Sequence, residues 1–171
     1  TIIELVKKIV LNACGVKSLG GLKLFLESFD FFSKTDSKIF VLYSEIEFYK
    51  DLNNQFYENP RVKFYKTTNK RYLHPFLNYF LPNKIVEEIN NSDAIIHFGN
   101  FGFKTLKKSF VLIQNILPLV KRGIRNSILK VLINRSMTFS NFILIQLDHL
   151  KEDIDKKFHS KIIQIGKTTS S

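Results

Sequence analysis

Short runs of β-branched and aromatic residues alternate along the chain with longer stretches whose apolar residues recur at helical spacing. Parallel strands joined by crossover helices produce this order. Residues 8–14 form the first apolar run. Beyond Gly20 and Gly21, the residues Leu22, Phe25, Leu26 and Phe29 stand at i, i+3, i+4 and i+7 and mark one face of a helix. Strands are predicted at 38–43 and 61–66, on either side of a polar, Asn-rich segment at 51–60, and a helix at 82–90. The aromatic stretch 72–80 is assigned to no element. Strands at 93–98 and 109–114 come next, the first running into Gly99-Asn100-Phe101-Gly102 and the second into Asn115 and Pro118. A basic helix at 119–138, a strand at 142–147, a charged helix at 148–158 with Asp148 as its N-cap, and a last strand at 161–165 complete the pattern. The expected fold is one α/β, Rossmann-like domain over 1–171 with its core at about 7–166, a mostly parallel sheet with helices on both faces. Ligands of such sheets gather at the carboxyl ends of the strands, where these loops fall.

Charge changes the picture more than composition does. The chain carries a formal net charge of +11, which favours anionic partners. From Ala94 through Leu147 there is no Asp or Glu, while Lys104, Lys107, Lys108, Lys121, Arg122, Arg125, Lys130 and Arg135 all fall there. On one continuous helix Lys121, Arg122 and Arg125 share about a quadrant beside Ile124, Ile128, Val131 and Leu132. Two readings are open: a face that rests on an anionic membrane, or a solvated face over an ordinary core-packing stripe. Nucleic acid is not expected, because helix-turn-helix, zinc-module and aromatic RNA-binding motifs are all lacking.

Other classes fall away on residue types. A single cysteine, Cys14, excludes an internal disulfide framework and a cysteine-based metal cluster; it reads as core packing in a reducing compartment. His74, His97, His149 and His159 lack metal-ligand spacing, so no metal is expected. No apolar run reaches the roughly 20 residues that span a bilayer, and the charges at Glu4, Lys7 and Lys8 interrupt any secretory core. The glycine loop at 15–21 has neither P-loop nor dinucleotide spacing. Gly20 and Gly21 can still bring backbone amides and a helix start close to a phosphate, or simply form a tight turn. His97 ends a buried strand and is the candidate catalytic group, with a structural histidine as the other reading.

Taken in order, residues 8–13 leading into Ser18-Leu19-Gly20-Gly21-Leu22, then 93–100, 111–118, 141–146 and 151–154, resemble the N-terminal domain of GT-B glycosyltransferases of the family-4-like group, which build capsules, lipopolysaccharide and related glycans. The resemblance covers almost the whole chain. It implies the acceptor-binding half of a nucleotide-sugar-dependent hexosyltransferase, with no permanently bound cofactor and a glycan or lipid-linked glycan as acceptor. It also implies that Gly20 and Gly21 approach the donor diphosphate, while His97, Asn100, Gln114 and Asn115 shape the acceptor pocket. The donor-binding second domain of that family has no room after Ile165, so the expectation is a half that is inactive alone: a truncated gene, an excised domain, or a subunit completed by a partner chain. The alternative reading is a non-catalytic, degenerate transferase domain that binds a partner protein or an anionic membrane surface. A cytoplasmic location follows, peripheral at the inner face of the plasma membrane if Lys121, Arg122 and Arg125 bind lipid.

Overall fold

The structure, a computed structural model, describes residues 6–16, 19–44, 52, 54 and 59–165. Parts of the expected glycine loop (17–18), of the polar segment 51–60 and the polar run from 166 onward lie outside the described residues.

Seven strands form one all-parallel sheet: β1 (Lys8–Asn12), β2 (Lys38–Tyr43), β3 (Val62–Lys66), β4 (Ala94–His97), β5 (Lys108–Ile113), β6 (Phe142–Ile145) and β7 (Ile162–Gln164), in the spatial order β3-β2-β1-β4-β5-β6-β7. The central strands are apolar without interruption because both of their faces are covered. Ile9 and Leu11 of β1, Ile39 and Val41 of β2 and Leu112 of β5 point into one layer, where Phe25 and Phe29 of α1 (Leu19–Ser33) pack on them. Phe25 also meets Phe98 edge-on with ring centres 5.4 Å apart. On the opposite face Val10, Phe40, Leu42 and Ile95 pack against Leu77, Leu81 and Ile89. Leu77 belongs to a 3-10 helix, Arg71–Tyr79, and Ile89 to α2 (Asn83–Asn90). Further along that face, Val111, Ile113, Ile143 and Ile145 pack against Leu132, Ile133 and Met137.

Three expectations are corrected here. The predicted basic helix is two helices, α3 (Leu117–Val120) and α4 (Ile124–Phe139). Gly123 takes φ 124° between them, a conformation that breaks a right-handed helix and that L side chains rarely adopt. Lys121 and Arg122 therefore lie in the link, and of the three basic residues Arg125 alone is on α4. The charged helix 148–158 shrinks to α5 (Leu150–Asp153) and a 3-10 helix, Lys156–Lys161. Asp148 is not a cap, since the N-cap of α5 is His149; Asp155 is the capping residue, its carboxylate accepting from the Lys157 N–H at 3.2 Å. Finally, Gly20 and Gly21 are inside the first turns of α1 rather than in the turn that leaves β1.

Candidate functional site

In a sheet of this order the crevice between β1 and β4 is the point where successive connections diverge to opposite sides, and ligands of open α/β sheets collect there. Asn12 ends β1 and His97 ends β4, paired in register. The Asn12 carboxamide stitches the crevice: its Oδ1 accepts from the Cys14 N–H at 3.2 Å, and its Nδ2 lies 2.9 Å from His97 Nδ1. With the oxygen committed to Cys14, the amide N–H donates to His97, so Nδ1 carries the lone pair and Nε2 the proton. That Nε2 is buried and has no partner among the described residues.

The chain then turns through two successive left-handed residues, Gly99 at φ 80° and Asn100 at φ 73°. Asn adopts this conformation more readily than other side chains, and here it is fixed from all sides. Asn100 Oδ1 accepts from the Gln114 and Asn115 backbone N–H groups at 2.7 and 3.2 Å, and its Nδ2 donates to the Asn115 carbonyl at 2.7 Å. The structure thus brings together Asn100, Gln114 and Asn115, which sequence reasoning placed in one pocket. The buried Asn100 spends its hydrogen bonds on the fold and acts by positioning. The Asn115 carboxamide oxygen accepts from the Leu117 N–H at 3.0 Å, whereas the half-buried Gln114 carboxamide makes no hydrogen bond among the described residues and is available to a ligand.

His97 is where the sequence placed it, at a strand end, yet its ring is 0 % exposed. Phe103 meets it edge-on at 4.8 Å, and a Cβ on Gly102 would stand 2.7 Å from its Cδ2. In this arrangement no atom of His97 can reach a substrate, which favours the structural reading. Burial pushes its pKa down to about 3. The sign follows directly: in the unfolded chain the ring gains a proton below about pH 6.5, and the folded chain refuses it, so stability is full above that pH and falls between pH 6.5 and 3. We expect chemical-denaturation stability to drop by about 2 kcal/mol more between pH 6.5 and 5 in the native chain than in His97→Gln. Equal slopes would show that His97 titrates normally.

Cys14 behaves as expected of packing material. It is buried, its Sγ lies 2.8 Å from Thr67 Oγ1, and burial pushes the thiol up to about 12. The folded protein at pH 8 should resist a disulfide reagent that labels the urea-unfolded chain within minutes; rapid native labelling would contradict this burial.

The glycines that sequence reasoning missed are Gly15, Gly99 and Gly102. A Cβ on Gly15 would stand 2.7 Å from the Phe98 carbonyl oxygen, and one on Gly99 would strike the Gly15 carbonyl. These two backbones close over the β1–β4 crevice. Gly20 is the opposite case, exposed and with nothing within 4 Å of where its Cβ would be. A separate cavity of about 310 Å³ lies between α4 and residues 152–156, walled by Lys130, Asn134, Glu152, Asp153, Asp155 and Lys156, and shares no residue with the predicted site.

On α4, Ile124, Ile128 and Val131 are 85 %, 56 % and 66 % exposed and fall on one stripe, while Leu132, Ile133 and Met137 are buried. Of the apolar residues named beside the basic cluster, only Leu132 packs in the core.

Sheet order, strand direction and helices on both faces define a Rossmann-like α/β domain. Compared with protein-family models and with curated proteins, the chain matches none. Among the described residues no helix is long and apolar enough to cross a membrane, and no group of three His, Cys, Asp or Glu side chains could hold a metal ion.

Proposed function

We propose that this chain is the acceptor-binding half of a nucleotide-sugar-dependent glycosyltransferase of the GT-B type, acting on a glycan or lipid-linked glycan and requiring a donor-binding domain for transfer. The observation that carries the reading is the carboxyl edge of the sheet, where the loops after β1, β4 and β5 are held against one another by Asn12 and Asn100. Such an edge is rigid enough to orient an acceptor; the Gln114 carboxamide makes no hydrogen bond among the described residues, and a Cβ on Gly20 would meet nothing within 4 Å. Two bound substrates held across a cleft would exclude water, and the start of α1 would meet the negative charge of a departing diphosphate.

The test is sugar transfer from a panel of radiolabelled nucleotide sugars to polyprenyl-diphosphate glycans, with and without a donor-binding domain encoded alongside. Transfer only in the combined reaction is the expected result. No transfer in either, together with no amide shifts at Gly20 or Gln114 on adding acceptor, would sink it.

A second reading is favoured by the exposed Ile124, Ile128 and Val131: a non-catalytic domain, or the same transferase half, resting on an anionic membrane through this stripe and through Lys121, Arg122 and Arg125. Basic residues contribute on the order of 1 kcal/mol each at such a surface. Pelleting with anionic vesicles should then be salt-sensitive and fall at least about tenfold in Ile124→Asp/Ile128→Asp, since burying each side chain is worth about 1.5–3 kcal/mol. Unchanged pelleting would dismiss the membrane face. Salt-sensitive pelleting without acceptor or nucleotide affinity would favour the non-catalytic form.

A further inference from the structure

Arg71 opens the 3-10 helix Arg71–Tyr79, and its guanidinium carbon stands 5.0 Å from the centre of the buried Phe101 ring. The side chain is half-buried, and its enclosed Nε has no hydrogen-bond partner. Among the described residues no carboxylate pairs with Arg71 or with Arg125. Burial first, and then the positive charge of Arg125, lower the Arg71 pKa. Desolvating one cation beside another works against folding, and local conflicts of this kind are characteristic of functional positions.

The location supports that reading. Phe101 lies four residues beyond His97, the last residue of β4, so Arg71 is at the carboxyl edge of the sheet. Arg125 is exposed in the first turn of α4, a turn without an acidic residue or a side-chain cap. A guanidinium held over an aromatic ring makes no hydrogen bond to it, and the fork of its two terminal nitrogens matches a phosphate bidentately. The 3-10 helix packs against α4, with the Arg135 guanidinium carbon 4.5 Å from the centre of the Phe76 ring, and the start of α4 adds partial positive charge.

We propose that Arg71 and Arg125 bind a phosphate-type dianion, a diphosphate or a terminal phosphate monoester, over Phe101. The site needs only the anion and stands whether or not the chain is part of a transferase.

The probes are inorganic pyrophosphate, added to the whole chain at low salt and followed by calorimetry and amide shifts, and phosphatidylcholine vesicles with and without phosphatidic acid. Binding is expected to be saturable and to weaken at least about tenfold in Arg71→Met and in Arg125→Gln, while Lys84→Gln, at an exposed lysine of α2, leaves it unchanged. Arg71→Met keeps an apolar stem over Phe101, so its Tm should be unchanged or raised, which separates lost binding from lost folding. Dependence on Arg71 in the pyrophosphate arm identifies a free anion as sufficient, and dependence in the vesicle arm alone identifies a lipid phosphate. The proposal is overturned if Arg71→Met weakens binding in neither arm, or if Lys84→Gln costs as much as the arginine variants.

Discussion

Replacing Gly99 with alanine should cost roughly 3–5 kcal/mol, enough to leave little folded protein if the stability is near the low end of the usual 5–15 kcal/mol. Two effects add. At φ 80° an L residue is held in the left-handed region, which costs about 1–2 kcal/mol for alanine. The new Cβ would also strike the Gly15 carbonyl, which is backbone and cannot rotate away. Moving that backbone pulls on the loop after β1, whose Cys14 N–H and carbonyl are bonded to Asn12 and Ser44 at 3.2 and 3.0 Å. Thermal and urea unfolding would measure the loss. Gly15→Ala, whose Cβ would lie 2.9 Å from the Gly99 carbonyl oxygen, should be similarly severe, and the double variant should cost less than the two summed because one separation of the two loops relieves both clashes. A loss under about 1 kcal/mol at Gly99 would mean that the two loops separate easily.

Gly20→Phe should produce the reverse combination: a fold at least as stable, and a reconstituted transferase slowed by about 100-fold or more, equivalent to about 2.7 kcal/mol. Within α1 a glycine is a poor choice, since alanine gains about 0.5–1 kcal/mol in a helix. Nothing in the described structure requires its absent side chain, as no atom lies within 4 Å of its Cβ position. A glycine kept against helix propensity in open space fits a ligand that passes close to the backbone. Gly20→Ala should raise Tm by a few degrees at most, and Gly20→Phe should not lower it. If Gly20→Phe transfers sugar at the native rate in the combined reaction, no ligand approaches there.

The strands were the most legible part of the sequence. A parallel strand buried on both faces is an unbroken apolar run, and 38–43 was bounded to the residue. Helix limits were less legible where one residue decides them. Gly123 sits between two apolar-periodic stretches, and its φ of 124° is a property of the backbone that periodicity cannot express. The 72–80 stretch was assigned to no element; it is largely a 3-10 helix, Arg71–Tyr79, with Pro75 inside it, a short element of three residues per turn whose proline argues against a regular helix. The site was legible as a set of loops but not as a set of contacts. Asn100, Gln114 and Asn115 do meet, yet the bonds run from the Asn100 side chain to backbone groups, which no residue pattern announces. Asn12 gave no signal beyond a polar residue in an apolar strand, a cue that marks a buried hydrogen bond when it ends a strand at a switch point. Arg71 was missed for the same reason as its helix, and because a cation without a counter-charge is recognised only in three dimensions.

The placement of β1 inside the sheet, between β2 and β4, has a kinetic corollary. Its two neighbours are β2 and β4, and Ile9 pairs with both Ile39 and Ala94. Roughly 50 residues separate the end of β2 from the start of β4, and at a synthesis rate of about 5–20 residues per second they take about 3–10 s to emerge. Throughout that interval one edge of the five-residue β1 has no partner, an open template for pairing with other nascent chains. Closing it is also entropically slow, because the strand that covers this edge is remote in sequence. The amide of Phe98, which donates to the Asn12 carbonyl at 2.9 Å, should therefore be among the last in the sheet to gain protection from hydrogen exchange during refolding, and a chaperone that shields β1 should raise the yield more than one that acts after β4 has docked.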